Sequence, residues 1–184
     1  DIIVMRHPED GSVSEFAAAS RVPVINGGDG ANEHPSQALL DLYTIRSELA
    51  GRDRGLDSLR IAMVGDLRFG RTVHSLCKVL SLFDHLRISL VSPEALRLPA
   101  DVVETLRRAG HDVLETEVLE SGITDVDIVY STRIQEERFS TREEADLYRG
   151  RFRLNQRVYT ANCEPNTVIM HPLPRDSRGG AQER

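Results

Sequence analysis

The alternation of short Ile- and Val-rich runs with longer stretches of helical periodicity constrains this chain more than any other feature. Residues 2–5, 22–25, 59–64, 86–91, 128–130 and 168–170 are apolar runs of strand length. Several lack the polar alternation of a half-exposed strand, as expected when both faces are buried in a parallel sheet. Residues 35–49 place Leu39, Leu40, Leu42, Tyr43 and Ile45 at helical spacing behind Pro35, which suits a first helical position. Residues 72–83 carry Val73, Leu76, Cys77, Val79 and Leu80 on one broad side, and residues 101–109 carry Val102, Val103 and Leu106 before a stop at Gly110. A weaker helical pattern covers 143–148. Strand, helix and strand in repetition specify an α/β fold with a parallel sheet.

The polar, Gly-containing stretch 51–57 follows a long helix and precedes a fresh strand, so it reads as the connection between two α/β units. Residues 1–50 are expected to supply the last strands and closing helix of one domain, and 51–184 the second domain. The chain opens inside an apolar strand and closes on the polar Asp-Ser-Arg-Gly-Gly-Ala-Gln-Glu-Arg, and so reads as a piece of something longer. Lys and Arg number 23 against 29 Asp and Glu, a net charge of −6, which argues against a general nucleic-acid binder. No apolar run approaches the roughly 18 residues of a membrane helix. Cys77 and Cys163 lie far apart with no Cys-x-x-Cys, so neither a zinc site nor a disulfide framework is expected. The expectation is a soluble protein of the cytoplasm.

Ligands of open parallel sheets sit outside the carboxyl ends of the strands. The residues expected there are Arg6 and His7, then Asn-Gly-Gly-Asp-Gly running to His34-Pro35, then Gly65-Asp66 with Gly70-Arg71-Thr72, then Thr132-Arg133 with Gln135, and finally His171-Pro172-Leu173-Pro174-Arg175. Several arginines at one sheet edge suit an anionic ligand, because guanidinium meets carboxylate or phosphate through two parallel hydrogen bonds. Singly, each residue has a plain structural reading. Arg6 serves equally as a surface ion-pair partner, His34 as a histidine near a helix cap, and His171-Pro172-Leu173-Pro174 as a Pro-rich turn. Residues 65–71 lack Gly-x-Gly-x-x-Gly and carry Arg71-Thr72 where a phosphate loop has Lys then Ser or Thr, which leaves a nucleotide-binding module weakly supported.

Taken together and in order, Met5-Arg6-His7-Pro8, Gly28-Asp29-Gly30 with Glu33-His34-Pro35-Ser36-Gln37-Ala38-Leu39-Leu40-Asp41-Leu42, Val64-Gly65-Asp66-Leu67 with Gly70-Arg71-Thr72-Val73-His74-Ser75, Tyr130 with Thr132-Arg133-Ile134-Gln135, and Met170-His171-Pro172-Leu173-Pro174-Arg175 resemble aspartate carbamoyltransferase catalytic chains. The sibling ornithine carbamoyltransferases typically carry His-Cys-Leu-Pro where this chain has His171-Pro172-Leu173-Pro174. The resemblance implies a Rossmann-like, parallel-sheet aspartate-binding domain preceded by the end of a second α/β domain that binds carbamoyl phosphate. It implies carbamoyl transfer to L-aspartate in pyrimidine biosynthesis. Arg6 and His34 match positions that hold and polarise the carbamoyl oxygen, and Gln37 one on the carbamoyl amide. Arg71, Arg133 and Gln135 match positions that grip the aspartate carboxylates, and the backbone of Pro172 and Leu173 matches carbonyls near the substrates. No metal or organic cofactor is implied. A homotrimer with active sites shared between subunits is implied, and either regulatory chains or fused pyrimidine-pathway domains are compatible with it. The family's Ser-Thr-Arg-Thr phosphate block, the Ser- and Lys-bearing loop given by a neighbouring subunit, and the closing C-terminal helix find no match here. These 184 residues are therefore expected to be incomplete for catalysis. The alternative is a non-catalytic carbamoyltransferase-like domain with an assembly or regulatory role.

Overall fold

The computed structural model describes residues 1–52, 54–133, 141, 143, 146, 148 and 152–173. Two parallel sheets organise them. In the smaller, β1 (Ile3–His7) pairs with β2 (Val24–Asp29) through the crossover helix α1 (Ser12–Ala19). The larger contains β3 (Arg60–Val64), β4 (Arg87–Val91), β5 (Asp112–Thr116), β6 (Ile128–Ser131) and β7 (Val168–Met170), all parallel, in the order β5-β4-β3-β6-β7. The chain winds outward from β3 to β5, then returns to the other side of β3 with β6. The strand order reverses between β3 and β6, the place where open α/β sheets hold their ligands.

Period-two alternation explains why this sheet is covered on both faces. Ile61 and Met63 of β3, Ile88 and Leu90 of β4, and Ile128 and Tyr130 of β6 enter one core. There they meet α3 (Arg71–Leu80) through Val73, Leu76, Cys77 and Leu80, and α4 (Ala100–Arg108) through Val102, Val103 and Leu106. Ala62, Val64, Val91 and Val129 face the opposite way, against Leu119 of α5 (Leu119–Gly122), Ile123 and Val126, with Val158 of α6 (Gln156–Asn162) at the margin. Each fully buried aliphatic side chain contributes about 1.5–3 kcal/mol. The long helix α2 (Pro35–Ala50) follows β2 in sequence but buries Ala38, Ile45 and Leu49 in the larger sheet's first core. It therefore fixes the small sheet against the large one. Among the described residues no helix is long and apolar enough to cross a membrane.

The amino ends of β3 and β6 are tied by Asp127, which is 3% exposed. Its carboxylate accepts from the Arg60 backbone at 3.0 Å and from Arg60 Nε at 3.2 Å and Nη2 at 2.9 Å, and it pairs with Arg54. Burial alone would raise its pKa, but the donors of Arg60 and Arg54 hold it below the ordinary carboxylate range. Asp125 pairs with Arg60 and, at 3.0 Å, with Arg87. The polar stretch after α2 is thus pinned under the sheet through Arg54.

The expected strands and the three stronger helices are present, with ends shifted by a few residues. Among the described residues, four of the strands and helices named above were not anticipated. In α1 only Val13 is buried, so no apolar stripe marks it. In the edge strand β5, Asp112 and Leu114 are exposed, which blurs the pattern. The single turn of α5 is too short to show a period. In α6 no residue is fully buried, and its start is set locally by the Asn155 side chain accepting from the Val158 N–H at 2.9 Å. Of the helix expected at 143–148, only residues 143, 146 and 148 are described, and these three are helical.

Candidate functional site

A cleft of about 570 Å³ opens at the carboxyl ends of β3, β6 and β7 and is closed on its far side by β1 and the start of α2. Arg6, His34, Gln37, Arg71, Arg133, Pro172 and Leu173 all line it, joined by Thr72, Thr132 and His171. Gln135 lies outside the described residues, as do Pro174 and Arg175.

The turn between β2 and α2 is built around Asp29. This buried carboxylate accepts from the Gly11 N–H at 2.8 Å, Asn26 Nδ2 at 2.9 Å, Asn32 Nδ2 at 3.0 Å and the Glu33 N–H at 3.2 Å. Burial opposes its ionisation, but the donors from Asn26, Asn32, Gly11 and Glu33 prevail and lower its pKa. The turn delivers His34 as the N-cap of α2. The His34 backbone N–H donates to Ser75 Oγ on α3 at 2.8 Å, and Ser75 in turn donates to Glu33, which also pairs with Lys78. His34 is thereby fixed relative to the helix that carries Arg71.

His34 Nδ1 accepts from the Gln37 N–H at 3.3 Å. With Nδ1 acting as an acceptor, the hydrogen-bond network assigns the ring proton to Nε2. Burial, then the nearby charges of Arg71 and Arg6, lower the imidazole pKa. Near neutral pH the ring is uncharged and Nε2–H is a donor. Gly28, at φ +116°, lets the two groups approach: a Cβ there would lie 3.2 Å from the Arg71 guanidinium and 3.3 Å from His34 Cδ2.

Arg71 begins α3 and donates through Nη1 to the Gly30 carbonyl at 2.8 Å, spanning from the large sheet's side of the cleft to the small sheet's. Its helix starts after a tight turn in which Asp66 Oδ1 accepts from the Phe69 N–H at 2.9 Å. The exits of β3 and β6 nearly touch. Gly65 has φ +114°, and a Cβ there would lie 2.5 Å from the Thr132 carbonyl oxygen. Thr132 donates through Oγ1 to the Val64 carbonyl at 3.1 Å, setting the direction in which Arg133 leaves the sheet. Beyond β7, Leu173 sits at φ +55°, a strained conformation for a branched aliphatic residue, with its N–H bonded to His171 Nδ1 at 2.9 Å. Pro172 has no N–H and that of Leu173 is used, so this segment offers backbone acceptors only.

Sequence reasoning placed Thr72, Thr132 and His171 at the ligand-binding edge of the sheet but gave them no role of their own; all three line the cleft. Among the described residues no three His, Cys, Asp or Glu side chains gather where they could hold a metal ion.

An open parallel sheet whose switch point faces arginines, an uncharged histidine and a helix start defines an α/β protein built for small anions. Residues 57–180 match the Asp/Orn-binding domain of aspartate/ornithine carbamoyltransferase, and residues 1–47 match the carbamoyl-phosphate-binding domain of the same family. The chain belongs to the aspartate/ornithine carbamoyltransferase family. It is 69% identical over 183 residues to the aspartate carbamoyltransferase catalytic subunit of Cellvibrio japonicus, covering 100% of this chain and 54% of that one. Among solved structures, the catalytic subunit of M. jannaschii aspartate transcarbamoylase is 45% identical with a TM-score of 0.81, covering 95% of this chain and 55% of that one. Aspartate transcarbamoylase from Trypanosoma cruzi, solved with carbamoyl phosphate and aspartate, is 37% identical with a TM-score of 0.84, covering 96% and 56%. The chain spans about half the length of the curated relatives it matches.

Proposed function

We propose that this chain, as part of a polypeptide of its relatives' length, transfers the carbamoyl group of carbamoyl phosphate to the amine of L-aspartate, giving N-carbamoyl-L-aspartate and phosphate for pyrimidine biosynthesis. The observation that carries this reading is the convergence of two side-chain sets on one cleft. Arg6, His34 and Gln37 come from the small sheet and α2, while Arg71, Arg133 and the 171–173 segment come from the large sheet. The ligand pair of the T. cruzi relative supports it.

In this reading the free amine attacks the carbamoyl carbon. The carbon–oxygen bond to phosphate breaks with its electron pair on phosphate, which takes up the amine proton. Charge builds on the carbonyl oxygen, where Arg6 and the His34 Nε2–H act as donors. Preorganised donors aimed at developing charge are often the largest catalytic contribution. Gln37 holds the carbamoyl amide. Arg71 and Arg133, with Gln135, hold the two carboxylates of aspartate and aim its amine, and the acceptors at Pro172 and Leu173 receive substrate N–H groups. Bringing two substrates into register contributes up to about 7–11 kcal/mol in favourable cases. The phosphate clamp and a Ser- and Lys-bearing loop are supplied by the rest of a cytoplasmic homotrimer, with regulatory chains or fused domains as further partners.

The test supplies the full-length protein with carbamoyl phosphate and either aspartate or ornithine. Carbamoyl-aspartate formation with no citrulline is expected. Citrulline formation, or no transfer to either amine, would overturn the reading.

A further inference from the structure

The mechanism above gives no part to the buried carboxyl group of Asp41. Asp41 lies on the face of α2 that also buries Ala38, Ile45 and Leu49, and is only 4% exposed. An ionisable carboxyl on an apolar helix face is costly unless its oxygens are satisfied. Among the described residues no cation pairs with it. Its partners are two neutral donors. Gln37, one turn earlier, donates through Nε2 to Oδ1 at 3.0 Å. Tyr130, fully buried on β6, donates its hydroxyl to Oδ2 at 2.7 Å. A continuous polar chain therefore runs from Tyr130 on β6 through Asp41 to the cleft residue Gln37.

We propose that Asp41 and Tyr130 are positioning residues that lock the Gln37 side-chain amide in one orientation, and that this makes the cleft selective for a carbamoyl over an acetyl group. The inference rests on the carbamoyl-transfer reading and deepens it. A carboxylate has only acceptors, so the Gln37 end facing Asp41 must be its NH₂; a flipped amide would set two acceptors against each other. Tyr130 holds the carboxylate from the far side and prevents it from turning away. Gln37 then presents its Oε1 acceptor to a ligand. A carbamoyl group offers an N–H to that oxygen. An acetyl group offers a methyl, leaving the acceptor unsatisfied, and a site built to hydrogen-bond a substrate N–H discriminates strongly against a ligand lacking it.

The experiment uses the full-length protein and two measurements: KM and kcat for carbamoyl phosphate, and the inhibition constant of acetyl phosphate against it. Asp41→Leu removes the acceptor, Asp41→Asn keeps one oxygen for Gln37, and Tyr130→Phe removes only the far support. Asp41→Leu should lower kcat/KM for carbamoyl phosphate by about 10- to 100-fold, the worth of one charge-assisted hydrogen bond. The acetyl phosphate constant should change less than about threefold. Asp41→Asn should restore most of the selectivity, and Tyr130→Phe should show the same bias more weakly. Should Asp41→Leu fail to fold, Tyr130→Phe and Asp41→Asn carry the test. Equal weakening of both ligands, or unchanged selectivity in the folded variants, would overturn the positioning role while wild-type carbamoyl transfer stands. A wild-type protein that transfers no carbamoyl group would overturn the underlying reading as well.

Discussion

The two ends of the five-stranded sheet put the same residue type to opposite uses. At the amino end, Arg54 and Arg60 converge on the buried Asp127, and Arg60 and Arg87 on Asp125. At the carboxyl end, Arg71 and Arg133 share a cleft with Arg6, and the described walls of that cleft hold no carboxylate side chain. Charge neutralised within the chain ties strands together. Cationic side chains gathered around one cleft raise the local potential, which suits an anionic ligand. The histidines divide similarly. His34 faces the cleft beside Arg6 and Arg71, whereas the buried His111 sits at the amino end of β5, where its Nδ1 accepts from the Leu86 N–H at 3.4 Å.

The largest effect expected from this contrast is on folding. Asp127→Ala leaves Arg54 and Arg60 without their shared acceptor, and breaking a buried ion pair costs about 3–5 kcal/mol. The value should fall near the low end, because both arginines keep some access to water. Urea unfolding should show the loss, while substrate KM values in the folded fraction stay unchanged. A shift in KM would blur the division between the two ends.

Next in size is His34→Ala, which removes one donor to the developing oxyanion and should lower kcat by about 10²–10³, or about 2.7–4 kcal/mol. Losing the α2 cap should also lower stability by about 0.5–2 kcal/mol. A variant with wild-type kcat would take His34 out of the mechanism.

A smaller effect is set by pH. Burial, Arg71 and Arg6 place the His34 pKa below its ordinary 6.5. Between those two values the unfolded chain binds more protons than the folded one, so stability rises with pH there and falls as the solution is acidified below 6.5. Activity should follow, because protonation at Nδ1 breaks the bond from the Gln37 N–H and changes the ring from neutral donor to cation. An NMR titration of the His34 ring should give a midpoint below 6.5, and Arg6→Gln should move it upward. A wild-type midpoint above 6.5 would contradict the electrostatic description.

Much of this was legible in the sequence for physical reasons. The central strand β3 is buried on both faces from Ile61 to Val64, so its apolar run is continuous there, and the helices α3 and α4 bury one clear stripe each. Edge elements such as β5 and α6 bury too little to leave a pattern. At the site, placement beside an apolar run or at a helix start marked Arg6, His34, Arg71 and Arg133, although Arg6 proves to lie within β1 rather than after it. What stayed hidden were contacts between distant positions. Nothing local in Asp127 shows that Arg54 and Arg60 will meet on it. Nothing local in Asp41, one helical turn from Gln37, shows that Tyr130 will reach it from β6.

The central claim is that Arg133, at the carboxyl end of the sheet, holds substrate, whereas Arg60, at the amino end, holds strands together. Initial-rate kinetics of full-length Arg133→Ala and Arg60→Ala, with both substrates varied and thermal unfolding followed in parallel, test it directly. Removing one member of a desolvated charge pair costs about 2–5 kcal/mol. Arg133→Ala should therefore raise the aspartate KM by at least about 30-fold, with the carbamoyl phosphate KM nearly unchanged. Arg60→Ala should lower the melting temperature and leave both KM values alone. An Arg133→Ala protein with unchanged aspartate kinetics, or an Arg60→Ala protein whose aspartate KM rises as steeply, would contradict the account.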